Sequence, residues 1–278
     1  MSGGENWSVS FASATTDAMG IYDDIFVPRL FEPWAFLLLD QLELASGEAV
    51  LDVASGPGSV ARLAAAQVGA LGAVTACDVS AAMLARARAK PPVEDGASIR
   101  YEECPADALT VGDDAFDVVT CQQGLQFFPD RPAALAEMRR AARPGARVGI
   151  AVWCAIEESP FFAALADALG QPLGDDVAAA YRAGPWGFSD AGLLEQLAVA
   201  AGMSDVRVTR HQLPVMFEGG APQLVATLGA AAVAPQVAAL DDAGRARLLS
   251  AAEETLAPMI DGGAIRSEAA SYVLLAKS

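Results

Sequence analysis

The sequence predicts an α/β fold in which a mostly parallel sheet carries helices on both faces. Short apolar runs alternate with alanine-rich stretches of helical length through the first half of the chain, a pattern typical of repeated strand–helix units. We interpret five of these runs as strands, at 49–53, 74–77, 99–102, 118–121 and 147–153. With 278 residues, 53% of them hydrophobic, the chain is long enough to bury a sizeable core. We therefore predict one α/β domain with insertions rather than two independent domains.

The helices between these strands have recognisable start and stop signals. The first is predicted over 59–69, where an alanine-rich stretch follows a glycine loop. Ser80 is the expected N-cap of the second helix, which stops at Pro91 and Pro92. The third is predicted over 132–142 and ends at the sequence RPGAR. Each helix can thus return the chain to the next parallel strand.

After Trp153 the strict alternation ends. We predict helices over 158–184, 190–201 and 222–260, and strands over 206–217 and 271–276. The sheet would then contain seven strands, with helical insertions at about 154–189 and 218–262. Pro214 favours an edge or bulge position for the sixth strand, since proline cannot donate to a sheet ladder.

Composition argues against several classes of partner. The 35 acidic residues exceed the 18 Lys and Arg and give a formal net charge of −17, which disfavours binding to nucleic acid or to anionic membranes. The long uncharged stretch at 219–240 contains prolines, glutamines and a glycine, so we interpret it as buried helices rather than a membrane span. Four single cysteines without a nearby histidine cluster indicate neither a metal site nor a disulfide framework. With no secretory signal pattern in the sequence, these features predict a cytoplasmic protein with buried thiols.

The stretch LDVASGPGSVARLA, residues 51–64, is the main functional signal, and it fits two patterns. Gly56, Gly58 and Ala61 match the dinucleotide pattern G-x-G-x-x-G/A, and Asp78 stands 20 residues after Gly58, where a ribose-binding acid is expected. The same letters match D-x-A-x-G-x-G, a glycine loop that binds S-adenosylmethionine (SAM). In either case the loop precedes a helix N-terminus, whose N–H groups attract an anionic group.

Five stretches taken together decide between the two patterns. They are VLDVASGPGSVA, VTACDVSAAMLARAR, ECPADAL, FDVVTCQQGLQFFPD and ALAEMRRAARPGARVGIAVW. In this order, residues 45–153 resemble a class I SAM-dependent methyltransferase, particularly the small-molecule branch that includes the ubiquinone and menaquinone biosynthesis enzymes. One departure is Ala54, which stands where many members of this family have the first glycine of the loop. A dinucleotide fold, in turn, gives no role to Asp52 or to the pair Ala106 and Asp107.

The resemblance implies a Rossmann-like methyltransferase fold and a division of the chain by role. Residues 1–44 would form an N-terminal helical lid, 45–153 the SAM-binding core, and 154–278 the rest of the same sheet with the helical insertions of the substrate pocket. The aromatic N-terminal segment and the alanine-rich C-terminal helices suit a homodimer as well as a buried pocket, so the oligomeric state stays open.

The resemblance also implies a set of residues that contact the cofactor. Asp52 would lie near the ammonium of the methionine moiety, Asp78 would bind both ribose hydroxyls, and Asp107 would accept from the adenine amino group. The complete implied cofactor set is Tyr22, Asp52, Ala54, Gly56, Gly58, Asp78, Val79, Met83, Ala106, Asp107 and Gln122. For several of these a plainer role remains open: Asp78 could cap a helix, Met83 could be a core residue, and Tyr22 could pack on the sheet.

Residues for substrate and catalysis are less clearly marked. The expected pocket residues are Trp34, Gln123, Leu125 and Phe127. Trp34, Leu125 and Phe127 could instead serve hydrophobic packing. His211 is the only histidine and thus a candidate general base, but it lies in the predicted sixth strand, away from the motifs.

The expected function is methyl transfer from SAM to an O, N or C nucleophile of a small, apolar or aromatic metabolite, which leaves S-adenosylhomocysteine. Two alternatives remain at this stage. One is a protein of the same fold that binds SAM without methyl transfer, as a cyclase, an isomerase or a small-molecule binding protein. The other is an NAD-dependent oxidoreductase.

Overall fold

The computed structural model describes residues 20–278, and its strands form one mixed sheet. The strands are β1 (Ala49–Val53), β2 (Ala73–Asp78), β3 (Ser98–Glu103), β4 (Phe116–Gln122), β5 (Ala142–Trp153), β6 (Ser204–Phe217), β7 (Ile260–Asp261) and β8 (Ala264–Lys277). Their order is β3-β2-β1-β4-β5-β8-β6, and the two-residue β7 pairs with β8 in antiparallel fashion. The pairs β1–β2, β1–β4, β2–β3 and β4–β5 are parallel. The predicted α/β fold with a mostly parallel sheet is therefore confirmed, with β7 as an additional short strand.

Helices connect the strands as predicted in the first half, and several short helices follow in the second. A π-helical segment at Tyr22–Phe31 comes first. The α-helices are α1 (Glu32–Leu42), α2 (Ser59–Val68), α3 (Ala81–Ala89), α4 (Arg131–Ala141), α5 (Pro160–Leu173), α6 (Asp175–Arg182), α7 (Ala191–Ala200), α8 (Gly220–Ala226), α9 (Ala234–Ala238) and α10 (Asp242–Leu256). None of the helices within residues 20–278 is long and apolar enough to cross a membrane.

Side-chain caps fix where several helices begin. Ser80 accepts a hydrogen bond from the N–H of Met83 and so starts α3, as the sequence predicted. Asp130 and Asp190 cap α4 and α7 in the same way. The caps of α3 and α4 fix where the loops after β2 and β4 end. These loops lie at the carboxyl ends of the two strands.

The chain divides into two compact units. One consists of Phe31–Val152, Asp190–His211 and Tyr272–Ser278, and it contains the glycine loop and the four parallel strand pairs. The other consists of residues up to Leu30 together with Trp153–Ser189 and Gln212–Ser271. The second unit contains α5, α6, α8, α9 and α10, so the predicted helical insertions belong to it.

The core of the first unit lies around its central strands. Val50, Leu51, Val118 and Val119 on β1 and β4 are fully buried. This burial on both faces explains why these strands are continuous apolar runs rather than alternating ones. The carboxyl ends of the central strands carry polar side chains, among them Asp52 on β1 and Gln122 on β4.

Candidate functional site

The loop between β1 and α2 follows an unusual backbone path. Ala54, Gly56 and Gly58 have positive φ values of 58°, 54° and 87°. Glycine adopts this region freely, whereas alanine pays about 1 kcal/mol or more there. A Cβ on Gly56 would meet nothing within 4 Å, so its backbone borders open space. The loop thus forms a cradle in which a ligand can approach the main chain.

Asp52 lies at the base of this loop and is 1% exposed. Its carboxylate accepts hydrogen bonds from the Ala61 N–H, at 3.0 Å, and from the Thr120 hydroxyl, at 3.0 Å. Burial is the largest effect on this group, and it raises the pKa of Asp52 from 3.8 to about 7 against the two hydrogen bonds. Because its hydrogen-bond partners are neutral, the charged form of the Asp52 carboxyl is costly, and a cation placed beside it would stabilise that form.

Asp78 ends β2 and reaches back to the same loop. Its Oδ2 accepts from the Gly56 N–H at 2.7 Å, and its Oδ1 accepts from the Ser80 N–H at 2.8 Å. Burial raises the pKa of Asp78 as well, although these backbone hydrogen bonds oppose the shift. The side chain thus fastens the glycine loop to the end of β2, while Ser80 serves as the cap of α3.

Two further acceptors near the loop lack a partner within the described residues. The hydroxyl of Ser55 and the Oε1 of Gln122 are buried and make no hydrogen bond, although the Gln122 amide nitrogen donates to the Phe31 carbonyl at 2.9 Å. With Asp52 and Asp78, they make a site rich in acceptors. Among the described residues neither carboxylate forms an ion pair, although the Arg62 side chain lies beside Gly58. Such a site suits a positively charged ligand with many hydrogen-bond donors.

Four further residues of the predicted cofactor set lie at the neighbouring strand ends. Val79 is 51% exposed, and Met83 is buried in the first turn of α3. Ala106 is half-buried and Asp107 is exposed, in the loop that follows β3. Since β1, β2 and β3 are adjacent and parallel, their carboxyl ends bring these loops to one edge of the sheet.

The turn after β4 is tightly built. Gln123 has a positive φ of 55°, and a Cβ on Gly124 would lie 2.5 Å from the Cβ of Ala54. Leu125 is fully buried, whereas Phe127 is half-buried. The turn therefore packs directly against the glycine loop, and only glycine fits at position 124.

Other predicted residues lie apart from this cluster. His211 lies on β6, the edge strand of the sheet, where its Nε2 is 2.8 Å from the Thr209 hydroxyl and 3.2 Å from the Gln41 amide. Trp34 is 1% exposed within α1. Tyr22 belongs to the second unit and packs edge-on against Phe26. The structure thus does not bring His211 together with the residues of the motifs.

Sequence reasoning missed Thr120, whose hydroxyl binds the carboxylate of Asp52. Thr120 stands opposite Asp52 in the parallel pairing of β1 and β4. The sequence shows that both residues lie on strands, but the register between strands distant in sequence is set by tertiary packing. Gln126 was also missed: it is 4% exposed, its amide nitrogen donates to Gln123, and its Oε1 has no partner in the described part of the chain.

The family comparison agrees with this geometry. A family model described as a methyltransferase domain matches residues 50–145. An uncharacterized protein of Mycobacterium tuberculosis is 34% identical over 143 residues, which cover 51% of this chain and 51% of that protein. The ubiquinone/menaquinone biosynthesis C-methyltransferase of Cupriavidus pinatubonensis is 31% identical over 168 residues, covering 58% of this chain and 68% of that enzyme. The chain spans about half the length of the first curated relatives that it matches.

A solved structure supports the same fold. Phosphoethanolamine N-methyltransferase 2 of Haemonchus contortus, in complex with S-adenosyl-L-methionine, aligns with a TM-score of 0.60 at 19% identity. The alignment covers 95% of this chain and 57% of that one. The resemblance that the motifs indicated is thereby confirmed. The chain belongs to the class I SAM-dependent methyltransferases and resembles the ubiquinone and menaquinone biosynthesis C-methyltransferases.

Proposed function

We propose that this protein transfers a methyl group from SAM to an O, N or C nucleophile of a small, apolar or aromatic metabolite. The observation that carries the proposal is the pair of carboxylates, Asp52 and Asp78, which flank the glycine loop without a cationic partner. SAM brings a sulfonium, an ammonium and two ribose hydroxyls, so it supplies the positive charge and the donors that this site lacks.

The same observation disfavours a nicotinamide dinucleotide. Its pyrophosphate would need free N–H groups at the start of α2 and a positive potential. In the structure the Ala61 N–H in that first turn is already bonded to Asp52, and two carboxylates lie beside the loop. An added pyrophosphate would be repelled at this place.

Each residue near the loop has a distinct proposed role. Asp52 would attract the ammonium end of SAM, and the unpaired Oε1 of Gln122 would accept a hydrogen bond there. The Asp78 carboxylate would accept hydrogen bonds from the ribose hydroxyls in addition to the one from the Gly56 N–H. The Gly56 backbone would lie next to the ligand. SAM itself supplies the activated methyl group, so the protein mainly has to align the substrate and exclude water.

The second unit supports an aromatic or apolar substrate. It contains a cluster of aromatic side chains in which Phe162 packs against Trp186 at 4.8 Å between ring centroids and against Phe26 at 6.1 Å. Tyr181 packs against Trp186 at 5.5 Å, and the indole N–H of Trp186 is buried without a partner in the described residues. The rings of Phe162, Tyr181 and Trp186 are buried, so the support for an aromatic or apolar substrate is the aromatic composition of this unit.

The test has two stages. First, calorimetric titration with S-adenosylhomocysteine, run beside NADH, examines the cofactor. Then methyl-labelled SAM is incubated with candidate aromatic acceptors and cell extract, and products are searched for a mass gain of one methylene equivalent. Cofactor binding with a labelled small-molecule product supports the proposal. Binding with an altered product that lacks the label would favour the non-methylating alternative, and binding of NADH alone would overturn the proposal.

A further inference from the structure

Gln126 carries a buried amide whose acceptor oxygen is unused. The residue is 4% exposed, its amide nitrogen donates to the Oε1 of Gln123 at 3.3 Å, and its own Oε1 has no partner in the described part of the chain. A buried acceptor without a hydrogen bond destabilises the folded state, so most such groups in native proteins are paired. The roles proposed above leave Gln126 without one. Its unpaired oxygen therefore indicates a partner that belongs to a ligand.

Backbone contacts fix the turn that carries Gln126. Gln123 has a φ of 55°, and its N–H donates to the Ala151 carbonyl of β5 at 2.8 Å. Arg131, on α4, donates from Nε to the Leu125 carbonyl at 3.1 Å and from Nη2 to the Gln126 carbonyl at 2.8 Å. The turn is thus bonded to β5 at one end and to α4 at the other. A side chain on such a fixed backbone suits the selection of a ligand, because little further ordering is needed on binding.

The strand order places this turn beside the residues proposed for the cofactor. The order along the sheet is β3-β2-β1-β4-β5, and Asp52 and Gln122, proposed for the ammonium end of SAM, lie at the carboxyl ends of β1 and β4. Gln126 is four residues beyond Gln122, in the turn bonded to β5, so it lies further along the same edge and away from Asp78 on β2. Direct methyl transfer requires the methyl acceptor to lie against the methionine end of the cofactor. Gln126 is on the side of the edge that such an acceptor would occupy.

We propose that Gln126 determines substrate specificity: its Oε1 accepts a hydrogen bond from a hydroxyl or amino group of the aromatic methyl acceptor. A ring without such a group, or with the group blocked by alkylation, would leave the buried oxygen unpaired and bind more weakly. An amide stays neutral and takes up no proton, so Gln126 orients the donor and does not act as a general base. The inference rests on the proposed function and narrows its substrate class to acceptors with an O–H or N–H donor.

The experiment uses the full chain saturated with S-adenosylhomocysteine, so that only the acceptor site is free. Calorimetry compares naphthol and naphthylamine, which carry a donor, with naphthalene and with methoxynaphthalene, the substituents being on the same ring carbon. Gln126→Met removes the amide with little change in volume, and Gln126→Leu is a second replacement in case the first does not fold. Gln67→Met, at an exposed glutamine on α2, is the matched control. Circular dichroism and titration with S-adenosylhomocysteine verify the fold and the cofactor site of each variant.

Wild type and Gln67→Met should bind the two donor-bearing ligands about tenfold or more tightly than the two ligands without a donor. In the Gln126 variants this preference should fall to about threefold or less, while affinity for S-adenosylhomocysteine changes by less than about threefold. A general loss of structure would weaken all four ligands alike, so the ratio isolates the hydrogen bond.

Four results would overturn the assignment of Gln126. They are a wild type that binds none of the four ligands or does not prefer the donors, a preference that survives in the Gln126 variants, a large loss of S-adenosylhomocysteine affinity in folded Gln126 variants, and failure of both variants to fold. A wild type that does not bind S-adenosylhomocysteine would instead refute the proposed function.

Discussion

Replacement of Asp52 by asparagine should stabilise the protein above neutral pH while it weakens cofactor binding. The shift in pKa from 3.8 to about 7 corresponds, at about 1.36 kcal/mol per pKa unit, to about 4 kcal/mol of free energy. Because the folded-state pKa of Asp52 is raised, protonation of its carboxyl stabilises the folded state. This stabilisation is fully present below the unfolded pKa of 3.8 and is lost as the pH rises through about 7. An asparagine carries no charge and removes this dependence.

The local hydrogen bonds allow this substitution without a new unpaired group. The asparagine Oδ1 can accept from the Ala61 N–H as Asp52 does. Its Nδ2 can donate to the Thr120 hydroxyl, which in turn can donate to the Leu51 carbonyl, now 3.3 Å away. The volume of the side chain is nearly unchanged, so packing should be preserved.

The assay is urea unfolding of both proteins at several values between about pH 4 and pH 8.5. From about pH 4 to about pH 8.5, the free energy of unfolding of Asp52→Asn should rise relative to that of wild type by at most about 4 kcal/mol. At about pH 8 the variant should nevertheless bind S-adenosylhomocysteine about 10 to 100 times more weakly, since it has lost the charge that we propose attracts the ammonium.

Asp117→Asn is the matched control. Burial raises the pKa of Asp117, but the hydrogen bonds from Arg143 and from the Ala49 N–H outweigh it, and the net pKa is lowered. Its stabilisation is present above the unfolded pKa and lost at lower pH, so the control should show the opposite trend. A pH-independent difference between wild type and Asp52→Asn, or a variant less stable than wild type at about pH 8, would refute the reasoning about Asp52.

The remaining predictions concern the loops around the same site. Asp78→Asn should weaken S-adenosylhomocysteine binding by about 10 to 100 times in calorimetry, and unchanged affinity would remove Asp78 from the site. Gly124→Ala should lower the free energy of unfolding by roughly 1 to 3 kcal/mol, because its Cβ would lie 2.5 Å from that of Ala54. Ala54→Gly should restore part of this loss, whereas Gly112→Ala, with open space around the added Cβ, should be neutral. Arg140→Met should cost about 1 to 2 kcal/mol in urea unfolding, since Arg140 binds two loop carbonyls and two partly exposed carboxylates; a change below about 0.5 kcal/mol would contradict this.

Much of the fold was predictable because local patterns and tertiary packing agree in the first half of the chain. The apolar runs before Gly56 and before Asp78 are buried strands, and Ser80 caps its helix as predicted. In the second half the strand predicted at 271–276 extends over Ala264–Lys277. The sequence did not show its first part because Arg266, Ser267 and Glu268 interrupt the apolar run.

The contacts that build the site were less predictable. The position of Asp52 follows from the motif, but its bond to Thr120 depends on the register between β1 and β4. The hydrogen bond from the Gly56 N–H to Asp78 likewise depends on the pairing of β1 and β2, since 21 intervening residues separate the two in sequence. The roles of the predicted cofactor residues, including Tyr22 and Met83, stay predictions.

The most direct test of the account is one calorimetric titration of the reduced protein with S-adenosylhomocysteine, repeated with NADH and with Asp52→Asn. Wild type should bind S-adenosylhomocysteine and not NADH. Asp52→Asn should bind S-adenosylhomocysteine much more weakly, although it unfolds at higher urea concentration at about pH 8. Binding of NADH, with no response to S-adenosylhomocysteine, would contradict the claim that the two carboxylates serve a positively charged cofactor.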